Sequence, residues 1–276
     1  MNEPDYDPNA FRNFEFQAWE KIASVYAATF TTFTSQPVSA LLDAVKAEAP
    51  KRLLDVACGT GLVAAHAAGR GCKVVGVDFS NSMLEQGRRR YPGLDLRFGD
   101  AEHLDFADNT FDIVVSNFGV MHFSRPEQAL REMARVTTSG GRIGLMIWNH
   151  LEQSVGLRLI LDATRRHAPT DSTIPKGISM FYYTDQDIFA GALRAVGYEH
   201  IAFQELPLIW HLDQPDQLVQ IIMDSTVRIG AILQEQPQDT LEAIKADVRE
   251  ALKPYLRPDG GVDVPHSALL ATAARS

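Results

Sequence analysis

Residues Leu53-Leu54-Asp55-Val56-Ala57-Cys58-Gly59-Thr60-Gly61-Leu62-Val63-Ala64 decide how this chain is to be understood. An apolar run enters a Gly-Thr-Gly turn, and a small-residue helix leaves it. Gly59 to Ala64 satisfies G-x-G-x-x-A. Glycines at the C-terminal end of a first strand let backbone approach a ligand closely, and open α/β sheets bind their ligands at that end. The next apolar run, Cys72 to Asp78, ends in a carboxylate nineteen residues after Gly59. A carboxylate there can accept both hydrogen bonds of a ribose diol. To this point a nicotinamide cofactor and any other adenosine ligand fit equally, because the glycine pattern alone is a weak signal.

Asp55 breaks the tie. A dinucleotide lays its pyrophosphate over the helix N-terminus, and an acidic residue close by would repel it. The same Coulomb term favours a cationic ligand. S-adenosylmethionine is one, with a sulfonium, an ammonium and no phosphate. Asp55 can equally be a structural carboxylate that accepts loop amides, and the two roles are compatible.

Strands and helices alternate outward from this loop, between Lys51 and Trp148. Arg52–Cys58, Cys72–Asp78, Leu94–Phe98, Phe111–Phe118 and Gly141–Trp148 are strands, the last following a Gly140-Gly141 turn. Ser80 is a candidate N-cap for the helix after the second strand. Such alternation argues for βαβ units in a parallel doubly wound sheet with helices on both faces. Residues 9–36 are aromatic-rich and helical in pattern. Beyond Trp148 come a helix from Val155, a loop with Pro169 and Pro175, and a helix opened by a Thr184/Asp187 capping box and closed by Gly197. A further strand over 200–212, helices near 215–234 and 240–253, and the closing stretch "VDVPHSALLATAARS" complete the chain. Leu241, Ile244, Val248 and Leu252 make one apolar helix face.

Composition excludes several classes. The chain has 276 residues, a net charge of −9, 45% hydrophobic and 22% charged residues. That balance suits a soluble globular protein and gives no basic footprint for nucleic acid. Arg88-Arg89-Arg90 is the one dense basic run, expected on a solvated helix face. No apolar run approaches the ~18 residues of a membrane span, and the acidic, aromatic N-terminus has no signal-peptide pattern. Cys58 and Cys72 form neither a disulfide framework nor a zinc motif, so a reducing cytoplasm is expected.

"LLDVACGTG" resembles motif I of the class I S-adenosylmethionine-dependent methyltransferases, with Ala57 at the first glycine position. "VVGVDFSNSMLEQGRRR", "FGDAEHLDF", "FDIVVSNFGVMHF" and "GGRIGLMIW" resemble the following blocks in order, covering residues 51–148. The subgroup resembled is that of ubiquinone/menaquinone-biosynthesis-like enzymes acting on small molecules, whose final antiparallel strand "HSALLATAAR" resembles. The resemblance implies a single domain over 1–276 with a Rossmann-like, seven-stranded, mostly parallel sheet. Residues 1–40 would form a helical lid, 51–148 the cofactor core, 151–258 substrate-side insertions and 262–276 the final strand. It implies S-adenosylmethionine held by Asp55, Ala57, Gly59, Gly61, Asp78, Phe79, Met83, Asp100, Ala101, Glu102 and Asn117, with Asp78 at the ribose and Asp100 at the adenine amino group.

Methyl transfer is an in-line displacement at a carbon already activated by positive sulfur, so bringing the reactants together supplies much of the catalysis. A base is needed only if the nucleophile must lose a proton. His122, His150 and Tyr26 are candidates for that part; Tyr26, Trp148, Tyr182 and Trp210, with neighbouring Tyr183 and His211, are candidates for the acceptor pocket. Each can also be ordinary packing. Asn117-Phe118-Gly119-Val120 lacks the (D/N)-P-P-(Y/F) run of enzymes that methylate base or glutamine amines. Asp112 begins the fourth strand instead of ending it, so no catalytic metal is expected. The expected acceptor is a small apolar or aromatic metabolite, methylated on O, N or C, by a monomer or homodimer. A relative that keeps the cofactor for a non-methylating reaction such as a pericyclic cyclisation, and a nicotinamide-dependent dehydrogenase, stand as alternatives.

Overall fold

A computed structural model describes residues 6–168 and 173–276; Pro169 lies outside them. Seven strands form one sheet: β1 Arg52–Val56, β2 Lys73–Asp78, β3 Asp95–Phe98, β4 Phe111–Asn117, β5 Thr137–Trp148, β6 Tyr198–Leu212 and β7 Val262–Arg275. Their order is β3-β2-β1-β4-β5-β7-β6, and β7 alone runs against the others. This is the seven-stranded, Rossmann-like arrangement expected. The central strands are apolar without interruption because helices cover both faces: Leu53, Leu54, Ile113, Val114 and Val115 are all buried. Around the sheet lie α1 Pro8–Ala28, α2 Thr31–Thr34, α3 Val38–Ala44, α4 Leu62–Gly69, α5 Asn81–Arg90, α6 Pro126–Val136, α7 Val155–His167, α8 Gln186–Ala195, α9 Gln217–Ser225, α10 Arg228–Gln234 and α11 Gln238–Ala251. Leu241, Ile244, Val248 and Leu252 are buried as their spacing predicts. Among the described residues no helix is long and apolar enough to cross a membrane.

Two local expectations change. Gly140 and Gly141 do not precede the fifth strand; they lie inside β5, where the register jumps from Phe111 opposite Thr137 to Ile113 opposite Arg142. Gly140 takes a φ of +75°, which glycine adopts without a Cβ clash. The cap of α8 is Asp185, whose Oδ1 accepts the amides of Asp187 and Ile188, while Thr184 donates its hydroxyl to the Phe181 carbonyl. A carboxylate one residue later reaches the free N–H groups of the first turn better than the threonine can. Pro207, unusual in a strand, is tolerated because β6 is a sheet edge with no ladder partner on its outer side.

β1 and β4 are neighbours although β2 and β3 lie on the far side of β1. The strand order therefore reverses between them, which opens a crevice at their carboxyl ends. Helix α1 crosses this end of the sheet and packs on α5 and α9.

Candidate active site

The crevice holds a cleft of about 720 Å³. Its floor is the loop after β1, where Ala57, Gly59 and Gly61 all have positive φ, at 55°, 53° and 76°. Ala57 thus sits in a conformation that glycine would adopt at less cost, and it is accommodated because Gly119 opposite has no side chain. A Cβ on Gly119 would stand 2.8 Å from the Cβ of Ala57.

Two buried carboxylates anchor this loop. Asp78 Oδ2 accepts the Gly59 amide at 2.8 Å and Oδ1 the Ser80 amide at 2.9 Å. Each oxygen retains a lone pair at the cleft, which Asp78 lines. Burial raises its pKa to about 6, against the lowering effect of the two amides and of His122. Asp55 is buried, and its Oδ2 accepts the Ala64 amide at 3.0 Å, in the first turn of α4. Its Oδ1 has no hydrogen-bond partner among the described residues. Burial, and secondarily the charge of Asp78, raise Asp55 to about 8; the Ala64 amide pulls the other way. Asn117 donates to the Thr34 carbonyl, and its Oδ1 is likewise unpartnered. Asp55, Ala57, Gly59 and Asn117 together line a recess beside the main cleft. A cationic ligand bearing N–H donors would satisfy these free oxygens, and a diol would suit Asp78.

The structure brings Ala57, Gly59, Asp78, Phe79, Met83, Asp100, Ala101, Glu102 and Asn117 to the cleft. Gly61 is not among them and packs beneath it, against Leu96. Asp100 meets Arg12 of α1, which donates from Nε at 2.9 Å and Nη2 at 2.6 Å, while its other oxygen accepts the Glu102 amide. Glu102 clamps the loop after β4, accepting from the Ser124 hydroxyl and the Arg125 amide. Asp100 and Glu102 therefore tie α1 and the loop after β4 to the cleft wall as well as facing it.

A second cavity of about 650 Å³ adjoins the first. Trp19, Tyr26, Phe118 and His122 line both. Its interior is aromatic: Phe33 stacks on Trp210 with centroids 4.7 Å apart, and Phe118 on Trp148 at 4.1 Å. Such pairs hold large flat surfaces in fixed positions. At the junction His122 Nδ1 lies 2.9 Å from Glu15 Oε2, which also accepts from the Trp19 indole. Glu15 is fully buried, and Arg228 Nε approaches its other oxygen at 3.1 Å. A carboxylate at Nδ1 selects the tautomer whose proton sits there and leaves Nε2 as an acceptor. Tyr26 bonds Thr34 through its hydroxyl, and burial raises its pKa.

His150 is exposed and lines neither cavity. Tyr182 is 39% exposed and lies outside both, and Tyr183 packs on Phe189. His211 is exposed and pairs with Asp263. Arg12, Glu15, Arg228 and His266 are the contributors that sequence reasoning missed. For the first two a signal existed, because Arg12, Glu15, Trp19 and Tyr26 fall on one face of a 3.6-residue helix. Arg228 and His266 reach the site from distant segments that no local spacing connects.

The family model of the methyltransferase domain matches residues 54–145. The demethylmenaquinone methyltransferase of Renibacterium salmoninarum is 36% identical over 175 residues, 60% of this chain and 74% of that protein. Among solved structures, phosphoethanolamine N-methyltransferase 2 of Haemonchus contortus, in complex with S-adenosyl-L-methionine, superposes with a TM-score of 0.55 at 17% identity, over 96% of this chain and 60% of that one. The [4+2]-cyclase SpnF superposes with a TM-score of 0.56 at 17% identity, over 94% of both chains. At these identities the structural likeness concerns the fold alone.

Proposed function

The chain belongs to the S-adenosylmethionine-dependent methyltransferases related to demethylmenaquinone methyltransferase, and we propose that its methyl acceptor is a small, flat, largely apolar aromatic metabolite. The observation that carries this reading is the pair of adjoining cavities, one edged by carboxylates and one walled by stacked aromatic rings, joined at Trp19, Tyr26, Phe118 and His122. Bound S-adenosylmethionine supplies a methyl group on positive sulfur. Asp78 would hold its ribose diol, Asp55 and Asn117 would take its ammonium, and Phe79, Met83 and Ala101 would flank its adenine. The aromatic walls orient the acceptor and exclude water, so that proximity does most of the work. His122, fixed by Glu15, receives the proton from an acceptor hydroxyl, amine or activated carbon through Nε2. Tyr26 lines the junction of the two cavities.

The reading takes a small-molecule acceptor and a monomer or a homodimer. Both cysteines are free and buried, consistent with a cytoplasmic setting. Incubation with S-adenosylmethionine and a metabolite extract, followed by mass spectrometry, tests the proposal. The expected product is an aromatic compound heavier by one methyl group. Products of unchanged mass, or methylation confined to large polar acceptors, would overturn it.

A further inference from the structure

The second cavity contains a polar side chain, His266, that no part of the foregoing uses. His266, on β7, is 4% exposed and forms part of the cavity wall. Neither ring nitrogen has a hydrogen-bond partner among the described residues. Its neighbours are rings: Phe33 at 4.9 Å edge-on, Trp210 at 6.1 Å and Trp148 at 6.2 Å between centroids. Room for the imidazole depends on Gly156 of α7, where a Cβ would stand 2.7 Å from Nε2. A leucine or phenylalanine would fill an apolar wall at less cost, since a buried polar group without a partner loses its hydration for nothing.

We propose that His266 is the specificity-determining group of the acceptor cavity, hydrogen-bonding a hydroxyl or carbonyl substituent on the otherwise apolar aromatic acceptor. This rests on the assignment of the second cavity to the acceptor. Burial lowers the pKa of His266 to about 3, so the ring stays neutral and offers one N–H donor and one nitrogen acceptor. That pair suits a neutral oxygen substituent. A cationic amine would meet the Arg228 guanidinium that lines the same cavity. The acceptor is thus expected to carry a polar group remote from the one being methylated, which sets its orientation before transfer.

The test is equilibrium dialysis of 2-naphthol and of naphthalene against the protein saturated with S-adenosylhomocysteine. The wild type is expected to bind 2-naphthol about tenfold more tightly, the worth of one buried hydrogen bond. H266F is expected to bind the two within about twofold, and H266Q, which keeps a donor and an acceptor, to restore most of the preference. If H266F does not retain S-adenosylhomocysteine binding, ¹⁵N-histidine spectra of the wild type decide, with the His266 signals identified by their loss in H266Q. They should shift with 2-naphthol and stay unmoved with naphthalene. An unchanged preference in H266F, or signals that ignore 2-naphthol, would overturn the proposal. Equal binding of both probes by the wild type would remove His266 from the recognition and leave the aromatic cavity standing. Binding of neither would remove the acceptor cavity as well.

Discussion

Replacing Asp55 by asparagine should make the ligand-free protein more stable, and increasingly so as pH rises. Asparagine keeps the shape and still accepts the Ala64 amide that Oδ2 now holds at 3.0 Å. It cannot ionise. In the folded protein the Asp55 pKa stands at about 8 against an ordinary 3.8, so the folded state binds this proton more tightly than the unfolded chain does. The stability it contributes is complete below about pH 4 and is lost as pH climbs through 8. At 1.36 kcal/mol per pH unit, the loss between pH 5 and pH 9 comes to about 4 kcal/mol. For a chain of this size that is on the order of 10 °C in Tm. Thermal melts of wild type and D55N at pH 5 and pH 9 isolate the contribution, because Asp78, raised to about 6, titrates in both. The gap in Tm should widen by that amount in favour of the variant. A gap constant to within about 2 °C would refute the claim that this carboxylate is buried at a cost. The same site explains what the cost serves. With the cofactor's ammonium beside Asp55, as proposed, the carboxyl would lose its proton, so at pH 7 S-adenosylhomocysteine binding should release up to one proton, seen by calorimetry in buffers of different ionisation enthalpy. D55N should release less and bind about tenfold more weakly.

Asp78→Ala should lose about 100-fold in affinity for S-adenosylhomocysteine, because the ribose loses a charged acceptor and Gly59 its anchor; unchanged calorimetric affinity would count against the assignment. Arg12→Ala should speed cofactor dissociation severalfold in stopped-flow while changing stability by less than about 1 kcal/mol, since the Arg12–Asp100 pair is partly exposed. His122→Gln should lower kcat on an accepted substrate about 100-fold with cofactor affinity held within about threefold; an undiminished kcat would leave proximity as the sole contribution. Tyr198→Phe removes the hydroxyl that meets Thr137 Oγ1 at 2.9 Å in the core and should cost roughly 1–2 kcal/mol in urea denaturation.

The residues proposed for the cofactor could be picked out of the sequence because their arrangement is local. Asp55, Gly59, Asp78 and Asp100 each stand at a strand end, and a doubly wound sheet brings consecutive strand ends to one edge. Their order along the chain therefore implies their order in space. The second cavity, proposed for the acceptor, could be foreseen only in kind. Aromatic richness in residues 9–36 foretold an aromatic lining, which Trp19, Tyr26, Phe30 and Phe33 provide, and Trp148 and Trp210 do line the second cavity. Tyr182 and His150 do not, because composition says nothing about which side of a loop faces inward.

By itself, then, the sequence determined the alternating strands and helices of residues 51–148 and, through the blocks that resemble a known family, the remaining sheet and the class of cofactor, since periodicity and order along the chain are local properties. Only the tertiary structure decided that Glu15 of α1 grips His122 across 107 residues and that His266 stands unpartnered among Phe33, Trp148 and Trp210. Such contacts join segments with no shared periodicity. They exist because burial of α1 and of the last strand against the same crevice forces a few polar groups inside, and what each finds there is settled by packing alone.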